Sequence, residues 1–186
     1  ADGQPWSGDA RFTGTHQALL RALRDAGYQY THLAFDDVEA GGLSPEEHRV
    51  LILPLATCIS DEMAQALRSY VEAGGTLIVD GRAGILSGQG RIRDDRPLDA
   101  LLGVQSPAGR EALLAEAGSG EATISRAIGE EALALEAFET PVLEPEIALT
   151  TAVALGEAGG APVCTVNELG EGRAILLNVP IEAFTA

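Results

Sequence analysis

The chain has 186 residues, 46% of them apolar, and a formal charge of −16 from 28 acidic and 12 basic side chains. That length and apolar content suit one globular domain with a core of its own. The acidic excess argues against a nucleic-acid partner, which needs clustered cations, and no window approaches the roughly 20 apolar residues of a membrane span.

In chain order, residues 1–14 are Gly-rich and polar and read as an irregular lead-in. They lack a basic start followed by an apolar run, so no signal peptide is visible; location stays open, with the cytoplasm slightly favoured. Thr15 can cap a helix that runs through Leu19, Leu20 and Leu23 to Ala26 and stops at Gly27. Residues 28–35 (YQYTHLAF) are rich in strand formers and predict a strand ending at Asp36 and Asp37. Ser44-Pro45-Glu46-Glu47 predicts a short turn of helix.

The stretch from Arg49 to Gly84 organises the rest. Val50 to Leu55 is a short apolar run that suits a buried strand. Ser60 caps a following helix over 61–73, Asp61 and Glu62 suit its positive end, and Gly74 closes it. Met63, Ala66, Leu67, Tyr70 and Val71 form one apolar stripe. Thr76 to Asp80 is a second buried strand, so the unit predicts parallel strands joined by a crossover helix. Strands 28–35, 50–55 and 76–80 are expected side by side in one mostly parallel sheet, with helices 15–26 and 61–73 on its faces.

After Asp80 a Gly-rich loop carries much of the local charge, and Pro97 opens a short helix, 98–102, closed by Gly103. The 111–118 segment is compatible with a short helix. Residues 122–128, 131–139, 161–169 and 173–181 are short strand-like runs broken by Gly and Pro. The last two flank Gly170-Glu171-Gly172, a good hairpin turn. The expected class is α/β, turning antiparallel at its C-terminal end.

Four pieces stand in a recognisable order: residues 51–86 (LILPLATCISDEMAQALRSYVEAGGTLIVDGRAGIL), PLDALLGV at 97–104, ALTTAVAL at 148–155, and APVCTVNELGEGRAILLNV at 161–179. This order resembles the non-catalytic middle, or trimerisation, domain of family-42-type β-galactosidases. The resemblance covers roughly residues 15–180. It implies a flavodoxin-like, class I glutamine amidotransferase-like three-layer αβα sandwich, with ligand-facing strand C-termini. It also implies that the chain is part of a larger polypeptide, packs on a catalytic domain and forms a homo-oligomer. The family begins with a strand before the first helix. Here ADGQPWSGDARF stands in its place, so that strand is expected to be very short or to lie upstream.

Amidotransferases of that fold carry a nucleophilic Cys in a G-x-C-x-G turn, and the matching residues here are Gly81-Arg82-Ala83-Gly84 after Asp80. Arg82 stands at the nucleophile position, and a guanidinium that is always protonated cannot attack a carbonyl. The chain is therefore expected to be non-catalytic, with no cofactor. Cys58, at a strand-to-helix junction, is the remaining nucleophile candidate, with His16, His32 or His48 as its base; the plainer reading is a small residue packed in a loop. That candidate underlies the alternative, a small-molecule enzyme, and a ligand-binding edge is a third reading. Cys58 and Cys164 form no metal-like spacing, and no metal site is expected. Glu46, Glu47 and His48 read as a solvated helix start, and Asp36 and Asp37 as a turn or cap. Arg82, Arg91, Arg93, Asp94, Asp95 and Arg96 are the candidate interface residues. Their run either docks on a neighbouring domain or subunit through Arg–carboxylate forks or is an ordinary solvated loop.

Overall fold

The computed structural model of the protein describes residues 10–114, 118–124 and 138–179. Helices α1 (Ala10–Asp25) and α2 (Phe35–Glu39) lead to strand β1 (Val50–Leu53), helix α3 (Asp61–Glu72) and strand β2 (Thr76–Asp80). Next come α4 (Asp99–Leu102), β3 (Val104–Gln105), α5 (Gly109–Leu114), β4 (Gly118–Ile124) and β5 (Phe138–Val142). The chain then forms β6 (Ala148–Leu149), β7 (Val153–Ala158), β8 (Ala161–Leu169) and β9 (Gly172–Leu177).

Among the described residues, a seven-stranded mixed sheet has the order β1-β2-β9-β8-β7-β4-β5, and β3 pairs with β6 in a small separate ladder. β1, β2 and β9 are mutually parallel, while every pairing from β9 outward to β5 is antiparallel. The C-terminal hairpin lies in the middle of the sheet: β9 pairs Arg173–Leu177 with Thr76–Asp80. Its turn is Gly170-Glu171, with Gly170 at φ 62°. Gly172 must be glycine, because a Cβ there would lie 2.2 Å from the Val71 carbonyl and 2.3 Å from that of Gly75.

Helix α3 forms as its sequence dictates. Ser60 Oγ accepts the Met63 N–H at 2.9 Å, and Asp61 and Glu62 occupy the positive first turn. Its stripe of Met63, Leu67, Tyr70 and Val71 packs with Leu77, Val79, Ala174 and Leu176, so one core bridges the helix, β2 and β9. Tyr70 lies over Gly75, where a Cβ would meet its ring at 2.3 Å, and its hydroxyl donates to the His48 carbonyl at 2.7 Å.

Four expectations need correction. Residues 28–34 form no strand: they are irregular and largely exposed, because among the described residues no strand pairs with them. Extended chain with unpaired backbone gains little from β-favouring side chains alone. Helix α1 begins before Thr15, so the expected cap lies inside it and is buried. Residues 44–47 close a single turn, His48 N–H to Ser44 carbonyl at 2.9 Å, without becoming a helix. The strand from Val50 stops at Leu53, since Leu55 takes φ 48°. Helix α5 covers residues 111–114 of the open 111–118 segment; residues 115–117 lie outside the described residues, and Gly118 begins β4. Residues 131–137, most of one expected strand, lie outside the described residues.

Leu67 is wholly buried in the main core, and replacing it with Ala is expected to cost about 2–5 kcal/mol in urea unfolding. A loss under about 1 kcal/mol would mean that the stripe faces water. Burial also raises the Tyr70 pKa from 10.0 to about 12, partly offset by its hydrogen bond to Thr76. A group whose folded pKa is raised contributes stability that is complete below its unfolded pKa. That contribution is lost as pH rises from 10 toward 12, and Tyr70→Phe removes it. Unfolding midpoints should converge between variant and parent as pH climbs through this window.

Candidate functional site

The strands β1 and β2 end together, and the chain beyond them is unusually constrained. Asp80, the last residue of β2, is buried and turns its carboxylate toward β1. Both of its oxygens lie 2.8 Å from the Leu55 N–H. Leu55 is held at φ 48° and Arg82 at φ 70°, a left-handed backbone that a non-glycine side chain rarely accepts. Gly81, between Asp80 and Arg82, faces the 143–144 segment so closely that a Cβ would meet Leu143 Cδ1 at 2.9 Å.

That segment is fixed by Asn178, which follows β9 and is completely buried. Asn178 Oδ1 accepts the Glu144 N–H, and its Nδ2 donates to the carbonyls of Glu144 and Pro162, each at 2.9 Å. Glu144 in turn receives Arg96 Nη2 in an ion pair whose side chains are both almost fully buried. Arg82 Nη2 reaches the Leu143 carbonyl at 3.4 Å. Burial pushes the Glu144 carboxyl up, and the Arg96 and Arg82 guanidinium groups pull it back. Arg96 Nε and Nη1 are buried with no hydrogen-bond partner among the described residues, so its desolvation is only partly offset. Sequence reading missed Glu144 and Asn178. Their only local signal was a polar residue between an apolar run and proline, Leu143-Glu144-Pro145 and Leu177-Asn178-Val179-Pro180.

The other candidates scatter. Arg93 is drawn inward, donating to Asp61 at 2.6 Å and to the Ile59 carbonyl at 3.1 Å, while Arg91, Asp94 and Asp95 are exposed beside it. Arg96 faces the interior, so its charge is taken up by Glu144 and does not lie on the surface. Asp36 and Asp37 open the short α2 and do not end a strand. Cys58 is exposed and bridges by backbone to Leu86. His16, His32 and His48 line a groove along β1 whose lining does not include Cys58. Cys164 lies within β8, where burial raises its thiol to about 11. Among the described residues, no cluster of three or more His, Cys, Asp and Glu could hold a metal ion.

The arrangement clamps two strand ends and a loop through buried charge. Glu144→Ala leaves Arg96 charged and unpaired in the interior, and is expected to cost about 3–5 kcal/mol by urea denaturation. Replacing Arg96 with Met and Glu144 with Leu together should cost clearly less. A single-variant loss under about 1 kcal/mol would show that water reaches the pair.

Comparison with known proteins places this geometry. The overall fold superposes on β-galactosidase from Bacillus circulans sp. alkalophilus with a TM-score of 0.72 at 16% identity, covering 98% of this chain and 26% of that one. The cold-adapted β-galactosidase from Rahnella sp. R3 gives 0.68 at 19% identity, with 91% and 26% covered. The exo-β-1,4-mannosidase Op5Man5 from Opitutaceae bacterium strain TAV5 gives 0.64 at 16% identity, with 99% and 29% covered. The chain thus spans about a quarter of the length of these structures. No significant match is found among curated proteins. Residues 32–184 match the model of the β-galactosidase trimerisation domain, and the chain belongs to that family.

Proposed function

We propose that this chain is a non-catalytic accessory domain of a longer, β-galactosidase-like glycoside hydrolase, and that it holds the enzyme's subunits together. The observation that carries this reading is the family match over 32–184, on a chain about a quarter as long as the solved hydrolases of the same fold. The partners are the catalytic domain of the same polypeptide and further copies of it.

The finer fold reading is a flavodoxin-like, class I glutamine amidotransferase-like sandwich. Parallel β1, β2 and β9 with the α3 crossover support it. In that frame the turn after β2 is where an amidotransferase would carry its nucleophile, and Arg82 stands there at φ 70°. A guanidinium offers no nucleophilic atom at ordinary pH, which favours a structural role for the turn.

For the contact surface, exposed Arg91, Ile92, Asp94 and Asp95 combine both charges with an apolar side chain on one loop. Such a patch suits a contact that desolvates its centre and sets register with charge. Sedimentation velocity on the full-length polypeptide is expected to give a trimer, and a strict monomer would overturn the assembly reading. Reversing Arg91 to Glu and Asp94 to Arg together should weaken association about tenfold or more. Unchanged assembly would move the interface away from this loop.

A further inference from the structure

The cations and the carboxylates of this chain are distributed differently. Among the described residues, eighteen Asp and Glu side chains are exposed, against five arginines, Arg21, Arg24, Arg49, Arg91 and Arg110. The remaining arginines among the described residues are drawn into the fold. Arg96 is buried against Glu144, Arg93 reaches Asp61 and the Ile59 carbonyl, and Arg82 donates to the Leu143 carbonyl. Arg68 and Arg173 are half-buried, the first paired with Glu72. The formal charge of −16 is therefore presented outward. Exposed carboxylates stand at both ends of the sheet: Asp94 and Asp95 beyond the C-terminal ends of β1 and β2, and Glu46, Glu47, Glu168 and Glu171 around their N-terminal ends.

We infer that ionic strength switches the assembly of this domain: copies stay apart in dilute salt and associate once salt screens their carboxylates. The inference rests on the assembly reading above and supplies its regulation. A large net charge of one sign keeps proteins monomeric through mutual repulsion. The reach of that repulsion is set by salt, with a screening length of about 30 Å at 0.01 M, about 8 Å at 0.15 M and about 3 Å at 1 M. A chain of this length folds to a radius of gyration of about 16 Å. In dilute salt the carboxylates of one copy therefore act across most of the width of the next. In concentrated salt only side chains in direct contact still interact. The contact itself loses less, because a partly desolvated pair, such as an Arg91–carboxylate fork at the proposed contact, is screened much less than exposed charges are. Salt thus removes the repulsion before it removes the attraction. An interface between oppositely charged surfaces responds in the other direction and weakens as salt is added, so the sign of the effect is diagnostic. The inward arginines strengthen the argument, since a guanidinium held inside by Glu144 or by a carbonyl cannot neutralise a carboxylate of a neighbouring copy.

Sedimentation of the full-length polypeptide in sodium chloride from about 0.01 M to about 1 M tests this. The dissociation constant of the assembly is expected to fall about tenfold or more across that range. A variant carrying Glu46→Gln, Glu47→Gln, Glu168→Gln and Glu171→Gln removes charge at the far end of β1 and β2 from the 91–95 loop and leaves that contact alone. It is expected to associate several-fold more tightly than the parent in dilute salt and equally well at about 1 M. A trimer whose dissociation constant stays level or rises with salt overturns the inference and leaves the proposed function standing. A variant with the parent's salt dependence puts the effect outside this domain and overturns it too. A monomer at every salt concentration rejects the proposed function, and this inference falls with it.

Discussion

Arg96 and Glu144 meet in a place where water does little to stabilise either charge. Because an isolated buried charge is so costly, each can be there only if the other is. The consequence spreads outward. Arg96 holds the Glu144 side chain and Asn178 holds its backbone N–H and carbonyl, so the end of β9 is fixed to the loop after β5. Gly81 packs against that loop without room for a Cβ, which sets the path of the turn after β2. The strained backbone at Leu55 and Arg82 persists because these neighbours overdetermine it.

This clamp separates the domain's two kinds of surface. At the C-terminal ends of the parallel strands, polar groups are buried and largely paired, although Arg96 Nε and Nη1 find no hydrogen-bond partner among the described residues. Along the outer edge of β1, backbone groups and aromatic side chains face an open groove. A domain that works by being packed against would be built with such an edge, since unpaired strand and exposed apolar surface are what association covers.

Much of this was legible in the residues. The βαβ unit over 50–80 could be read because capping, apolar stripe and strand runs agree with one another locally. The hairpin 161–177 was equally readable from its Gly-Glu-Gly turn. The failures have a common cause. Residues 28–34 have strand composition, but a strand exists only where a partner lies beside it, and composition says nothing about partners. Likewise the loop arginines look alike in sequence, yet Arg96 is internal and Arg91 is not. That difference depends on a glutamate far along the chain. The pairing of the hairpin with β2, in the middle of the sheet, was beyond local pattern for the same reason.

The placement of β9 beside β2 matters during synthesis. Asp80 leaves the ribosome roughly 5–20 s before Gly172, at ordinary elongation rates. Throughout that interval β2 has β1 on one side and nothing on the other. The most apolar strands of the domain thus present a bare flank while the chain is still being made. Non-local parallel pairing is slow to form even once both strands exist. Synonymous codon changes that slow translation between Asp80 and Gly172 should lower soluble yield without altering the finished protein.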